Sequence, residues 1–419
     1  MKWPRVLSAL ESRNYRLFFI GQMISLIGTW MTQTASLWLV YRLSSSPLLL
    51  GAVGFASQAP IFLLAPIAGV LADRFNRHRL LVLTQILSML QSFALAALTL
   101  TNHITPGWLV GLSFVQGAIN GVDLPTRQTL VVAFVNRREH LSNAIALNSS
   151  MFNLARLVGP AIGGFVIAAY GAGICYLIDG VSYAAVILSL LLMRLALPAR
   201  RSNPSHPLVE MREGFAAAFA FRPMRVLIIT IALISAVGFS YSVLTPLFAR
   251  EVFSGDARVL GYLMSASGIG ALVGAIYLST RTTVRGLGTV VALGCVCMGV
   301  GLVGFALSHW LGISLLSLGV VGLGGVLTMA SSNTVVQTLT SEERRGRVMS
   351  IFTMAFTGTM PVGNLLVGWI AGFAGPAITL MVSGGICILV GAVFYRMLPG
   401  LRAAAAPVLS RVVPLETVG

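Results

Sequence analysis

Residues 69–81 read GVLADRFNRHRLL, and the stretch from Asp73 to Arg79 packs one acid, three arginines and a histidine between two apolar runs, Leu48–Leu71 and Leu80–Leu100. A hydrocarbon core about 30 Å thick needs roughly 20 apolar helical residues to cross it. Two such runs joined by a short, highly charged turn therefore read as a helical hairpin whose turn lies in water. The same pattern recurs along the chain. The other runs of the first half are Leu17–Tyr41, Trp108–Val122, Ala144–Ala169 and Ile174–Leu195. The second half supplies Val226–Ala249, Leu260–Leu278, Leu287–Leu307, Leu311–Val336, Val348–Ala374 and Ala377–Leu398. Only Trp108–Val122 is ambiguous, because Asp123 and Arg127 interrupt its end.

Composition supports that reading. The 419 residues are 56% apolar and 10% charged, with a mean hydropathy of +0.88; a soluble domain carries about a quarter charged residues. The formal net charge of +16 could suggest nucleic acid, but its placement excludes that. The turns DRFNRHR, FVNRREH, STRTTVRG and TSEERRGR, the linker ARRSNPSHP and both termini fall on one side, whereas Arg42, Arg250 and Arg258 fall on the other. Lys and Arg concentrate on the cytoplasmic side of membrane proteins, so both termini are expected in the cytoplasm after an even number of spans. The first 16 residues carry Lys2, Arg5, Arg13 and Arg16, and the run after them is too long for a signal-peptide core, so none is expected.

No HExxH, P-loop or GxSxG pattern occurs, and Cys175, Cys295, Cys297 and Cys387 all sit inside apolar runs, Cys295 and Cys297 two apart and so not facing each other on a helix. No metal, cofactor or enzymatic activity is expected. The halves repeat at offsets of about 200 residues: Tyr15–Arg16 parallels Met224–Arg225, and FVNRREHLSNAI parallels TLTSEERRGRVM. The expected organisation is a six-helix bundle over 1–197, a cytoplasmic linker over 198–222 and a second bundle over 223–400. A tail follows over 401–419. Within the linker, Leu208–Phe221 mixes acids, arginine and phenylalanines and reads as a helix lying on the membrane surface.

GVLADRFNRHRLL resembles the loop signature of the major facilitator superfamily, G-x-L-A-D-R-x-G-R-x-x-x-L. Gly69, Leu71, Ala72, Asp73, Arg74, Arg77 and Leu81 match. Asn76 replaces the usual glycine and is the next-best residue for a left-handed turn. The resemblance implies two pseudo-symmetric six-helix bundles, twelve transmembrane helices in all. It also implies a latch in which Asp73 faces the N-terminal end of a helix of the other half. The second copy, GAIYLSTRTTVRG, lacks the acid. NYRLFFIGQMISLIGTWM, SPLLLGAVGFASQAP, DLPTRQ and LSNAIALNSSMFNLARLVGPAIGG are similar to the exporter branch that contains the enterobactin exporter and macrolide efflux proteins.

The last of these stretches resembles the family's antiporter motif through Gly159, Pro160, Gly163 and Gly164, with Ala146 and Ala155 in place of glycine. Small residues one turn apart allow close helix approach and the proline kinks the helix, which suits a hinge. Arg156, in the same run, lies about 18 Å into the core. There a charge costs a few kcal/mol unless it meets water or a partner. Neither Asp123 nor Asp179 lies at its depth, so Arg156 is expected to face the cavity and meet an anion or water; helix-end carbonyls or Asn residues are the alternative.

Asp123 and Arg127 are one turn apart and can pair. In the family the acid near this position joins the loop arginine, here Arg77, in a charge relay, so gating is expected of Asp123 ahead of protonation. Asp179 falls on a helix outside the family's cavity, where a structural role is expected ahead of proton coupling. Ser113 stands where the family usually carries a helix-four arginine tied to proton coupling. The cavity in this fold is lined by helices one, four, seven and ten. Their polar and aromatic residues are Gln22, Trp30, Gln33, Trp38, Gln116, Asn120, Phe239, Tyr241, Thr328, Asn333 and Gln337. That mixture suits an amphipathic ligand.

The expected function is secondary export of an amphipathic, potentially anionic small molecule by a monomer in a bacterial inner membrane, driven by protons. A lysophospholipid flippase and a transport-dead sensor or assembly partner are the alternatives.

Overall fold

The computed structural model describes residues 5–135, 137–193, 215, 216, 218–281 and 283–412, with side chains described except at 5, 6, 65–74, 138, 343 and 409–412. Among the described residues there are twelve helices of sixteen residues or more. They are α1 (Arg13–Ser44), α2 (Pro47–Arg74), α3 (Arg77–Leu100), α4 (Pro106–Phe134), α5 (Leu141–Tyr170) and α6 (Ala172–Leu191). The second set is α7 (Arg222–Val237), α8 (Ala257–Ser279), α9 (Leu287–Leu307), α10 (Leu311–Leu339), α11 (Glu342–Ala374) and α12 (Pro376–Val412). Ten stretches are long and apolar enough to cross a membrane. The two helices outside that set, α1 and α4, owe this to polar residues that neighbouring helices cover. Gln22, Ser25, Thr34 and Ser36 of α1 are all buried.

The turn at 73–79 is built differently from the left-handed geometry expected at Asn76. Its φ is −63° and its ψ 113°, and its side chain accepts hydrogen bonds from the backbone N–H groups of His78 and Arg79. Asn76 is an N-cap. Its side chain satisfies two of the four orphan donors at the start of α3, and that requires an extended backbone, not a positive φ. Thr105 does the same for α4, accepting from Trp108 N–H ahead of Pro106. Among the described residues positive φ falls instead on Ser45, Asn102, Ser254 and three glycines, two of which are Gly171 (φ +85°) between α5 and α6 and Gly375 (φ +82°) between α11 and α12. Gly171 and Gly375 sit at matching places in the two halves, where any side chain would be strained.

The run expected to end at Val122 continues as helix to Phe134, through Asp123, Pro125 and Arg127. An internal ion pair makes those charges compatible with a packed helix. The run beginning at Val226 instead breaks after Val237. Tight 3₁₀ turns cover Phe239–Val243 and a wider turn covers Phe248–Val252, around Gly238 and Pro246. Pro246 has no N–H to continue a helical ladder. At the other end of the chain, α12 runs on to Val412, well beyond the apolar run. Most of Leu208–Phe221 and of the linker 198–222 lies outside the described residues.

The chain separates into two compact units, residues 1–203 with 245–268, and residues 204–244 with 269–419. The division thus falls inside α8 and assigns Thr245–Gly268 to the first unit, because that segment packs on α1 and α5. Within the first unit, α1 lies against α5 and α6, α3 against α4 and α6, and α2 against α4. In the second unit the corresponding pairings recur: α7 against α11 and α12, and α9 against α10 and α12. The first unit's main apolar cluster joins Ala9, Leu10, Tyr15, Phe18, Leu81, Phe134, Ala144 and Leu190. It is tied by Tyr15 donating to the Ala144 carbonyl at 2.7 Å.

Candidate functional site

The Gly-Pro and Gly-Gly pairs of α5 meet two different neighbours. Gly159 packs onto Trp30 of α1, and Gly163 lies over the backbone of Met31. Gly164 and Pro160 face the opposite way, onto the first three turns of α8. A methyl group built on Gly164 would lie 2.5 Å from the Ala257 carbonyl oxygen, and one on Gly261 would lie 2.6 Å from that of Pro160. These are backbone-to-backbone contacts, which only small residues permit. Pro160 has no N–H for the Arg156 carbonyl one turn back. Beside that gap, Ser265 of α8 donates to the Leu157 carbonyl at 2.7 Å. Two further contacts join α1 to the same segment: Thr34 Oγ1 to Met264 Sδ at 3.6 Å and Tyr41 Oη to Glu251 Oε1 at 3.1 Å.

Between these two faces of α5 runs a third stripe. Helical spacing places Ser149, Phe152 and Arg156 on it. Phe152 meets Trp30 edge-on, with ring centroids 5.7 Å apart. Arg156 follows one turn later, halfway along the helix. It is half-buried and has no ion-pair or hydrogen-bond partner among the described residues. Gln33, three residues beyond Trp30 on α1, is exposed. The stripe therefore presents two aromatic rings, an amide and an unsatisfied guanidinium, a combination able to hold an amphipathic anion by stacking and a charge-assisted fork.

Asp123 is satisfied locally. Its Oδ2 pairs with Arg127 at 3.2 Å, while Oδ1 accepts from Thr84 at 2.8 Å and Gln85 at 2.6 Å. All of these come from α3 and α4, and Asp123 is 4% exposed. Breaking a buried pair leaves charge and donors without partners. Asp123→Ala is therefore expected to lower stability by about 3 kcal/mol. Arg127→Ala should cost less, because the carboxylate keeps its two other donors. Thermal unfolding in detergent checks both. The side chains of Asp73 and Arg74 and the surroundings of Gly69 lie outside the described residues; Arg77 occupies the first turn of α3.

The sequence reading did not single out the polar residues of α3. Thr84, Gln85, Ser88, Gln91 and Ser92 are all 6% exposed or less and form one seam along the helix. Gln116 of α4 donates to Ser88 of α3 at 3.1 Å and to Asn120 of its own helix at 3.2 Å, so its amide ties α4 to the α3 seam. At the far end, Ser92 donates to Asp179 of α6 at 2.9 Å, and Thr32 of α1 donates to the same carboxylate oxygen at 2.9 Å. Asp179 is 1% exposed, and its Oδ1 is buried with no hydrogen-bond partner. The signal was present as spacing: five polar residues at i, i+1, i+4, i+7 and i+8 occupy one face of an otherwise apolar run.

The remaining expected cavity residues are dispersed. Gln22 is 4% exposed and its Oε1 lacks a partner. Trp38 is buried. Phe239 stacks edge-on to Phe356 at 5.3 Å and covers Gly325, while Tyr241 is buried in the same turn. Thr328 is wholly buried beside Cys295. Gln337 donates to Asn333 at 2.9 Å on an exposed face of α10.

Two helical units of matching pairings, with apolar spans, describe a multi-pass membrane protein, and its family makes it a transporter of small molecules. The chain belongs to the transmembrane secretion effector family of the major facilitator superfamily, whose family model matches residues 5–413. It is 27% identical over 383 residues to the staphyloferrin A transporter of Staphylococcus aureus, covering 91% of this chain and 95% of that protein. It is 26% identical to the enterobactin exporter EntS of Citrobacter koseri, with 97% of each chain covered. It is 25% identical to the multidrug efflux pump Tap of Mycolicibacterium fortuitum, covering 91% and 95%. Among solved structures, the peptide transporter POT in complex with sulfate superposes with a TM-score of 0.77 at 12% identity, covering 94% and 96%. The nucleoside transporter NupG gives 0.69 at 17%, covering 93% and 99%. These likenesses establish the fold alone.

Proposed function

We propose that this protein is a secondary exporter of amphipathic anions of the siderophore class, working as a monomer with twelve spans and cytoplasmic termini in a bacterial inner membrane. Arg156 carries the reading: a half-buried guanidinium at the middle of α5, unpaired among the described residues, beside the Trp30–Phe152 pair. An arginine at that depth is tolerated where water or an anion meets it. The relatives named for staphyloferrin A and enterobactin agree with an anionic cargo, and the one named a multidrug pump agrees with an aromatic, adaptable surface. Transport proceeds by alternating access, in which α5 and α8 part and close at Gly164 and Gly261. On the cytoplasmic side the 69–81 turn acts as the latch, with Asp73, Arg74 and Arg77 in its charge network. Asp123 with Arg127 stiffens the adjoining α3–α4 contact. The proton gradient drives export.

The test is uptake into everted membrane vesicles of enterobactin, staphyloferrin A and the cationic dye ethidium under an imposed pH gradient. Concentrative uptake of at least one anion, lost when the gradient is collapsed, is the expected result. Movement of labelled lysophospholipid alone would convert the reading to a flippase, and binding without flux would convert it to a sensor.

A further inference from the structure

Asp179 is a buried acid with no ion-pair partner among the described residues. Its neighbours on α1 are Gly28, Thr32 and, one residue away, the Thr29 hydroxyl that reaches Tyr183 at 3.4 Å. On α3 they are Ser92 and, against Gly180, the ring of Phe93. No residue of α1 from Leu17 to Val40 and none of α3 from Leu80 to Leu100 is acidic or basic. On α6 itself the titratable neighbours are Cys175, Tyr176 and Tyr183, and on α5, which also packs against α6, Arg156 makes no ion pair among the described residues. Oδ2 accepts from Thr32 and from Ser92, while the Ser182 hydroxyl, one turn along α6 and beside the carboxyl, donates to the Asp179 backbone carbonyl at 2.7 Å. Oδ1 has no donor and abuts the α1 backbone, where a methyl group on Gly28 would lie 2.6 Å away. A fully buried ionised carboxylate needs a counter-charge or donors on both oxygens. Asp123, in a separate α3–α4 contact, has both.

We propose that Asp179 is the proton-binding site of the transport cycle, holding the coupled proton on Oδ1, with Thr32 and Ser92 as positioning residues. The proposal rests on the exporter reading for its role in transport. The proton enters from the side facing the outside and adds to Oδ1, neutralising the carboxyl. It leaves to the cytoplasm when the cycle admits water beside Asp179. Thr32 is half-buried and forms the link from the carboxyl towards Gln33 and the Trp30 stripe. On the other side Ser92 continues into the α3 seam through Ser88, beside which the Tyr183 hydroxyl lies. Because Thr32 and Gly28 lie on α1, beside the cavity-facing Trp30, displacement of α1 by cargo alters the contacts of the proton-bearing oxygen directly.

Infrared difference spectroscopy of the purified full-length protein, with no cargo present, reads the site itself. The expected result is a protonated carboxylic-acid carbonyl band at neutral pH in wild type that is lost in Asp179→Asn and retained in Asp123→Asn. The band should titrate away on raising pH, with a midpoint displaced in Ser92→Ala. Absence of the band in wild type, or its survival in Asp179→Asn, overturns the proposal. If Asp179→Asn misfolds, an unchanged midpoint in Ser92→Ala overturns it and a displaced one supports it. In everted vesicles with ethidium and enterobactin, Asp179→Asn is expected to keep downhill exchange and to lose concentrative uptake completely. Uptake at the wild-type level in that variant also overturns the proposal. Wild type concentrating neither probe would count against the exporter reading, while the infrared result would still decide the proton site.

Discussion

Leucine at Gly164 is expected to abolish transport and to lower stability by about 1–3 kcal/mol, the usual cost of overpacking. The first carbon of that side chain already meets the Ala257 carbonyl oxygen at 2.5 Å, the Gly261 Cα at 3.1 Å and the Arg258 Cα at 3.2 Å. All three are backbone atoms, so no rotamer change relieves the clash and α8 itself must move. The Ser265–Leu157 hydrogen bond, on the same seam, would be stretched with it. Gly261→Leu should act alike, through Pro160 O, Gly164 Cα and Ala161 Cα. Gly372→Leu on α11 is the control, because nothing lies within 4 Å of a methyl group there. Thermal unfolding in detergent and flux in everted vesicles are both needed. A Gly164→Leu protein that is as stable as wild type and transports normally would show that the close approach is dispensable.

The second large effect is expected at Arg156. A charge-assisted hydrogen bond is worth about 1.5–3 kcal/mol, and 1.4 kcal/mol is a factor of ten. Arg156→Ala should therefore slow uptake of enterobactin and staphyloferrin A by about 10- to 100-fold. Ethidium should be transported at the wild-type rate or faster, because removing a positive charge does not penalise a cation. Arg156→Lys should recover part of the anion rate: it keeps the charge but not the planar fork. Folding should be unaffected, since Arg156 has no ion-pair or hydrogen-bond partner among the described residues to lose. Equal loss for anions and cations would place Arg156 in the scaffold instead of the cargo site.

Much of the fold was legible in residue order. The alternation of apolar runs with arginine-rich turns is dictated by the bilayer, so composition and spacing alone locate the helices and their charged ends. Asn76 shows where such reading stops. A residue suited to a left-handed turn is equally suited to an N-cap, and only the backbone at φ −63° separates them. The extension of α4 to Phe134 has a similar cause. Asp123 and Arg127 look like a helix end in one dimension, yet they pair with each other and with α3 once the helices pack.

The site was less legible, and particular residues show why. Gln116 and Asn120 are polar residues on a helix expected to line the cavity, but their amides are engaged with each other and with Ser88 of α3. Phe239 turned out to cover Gly325 and Phe356. Helical periodicity tells which residues share a face; it does not tell which neighbour that face meets.

Residue order was enough to mark the chain as a helical membrane protein with a facilitator-type turn at 69–81 and to place Arg156 inside a long apolar run. These follow from local hydrophobicity, charge and spacing. Which buried polar groups are satisfied depended on how the helices pack. The donors of Asp179 come from Thr32 and Ser92, 147 and 87 residues away, and the partner of Gly164 is the backbone of α8. Hydrogen bonds and backbone contacts act over about 3 Å, so residues that far apart in the chain interact only after the helices have packed side by side.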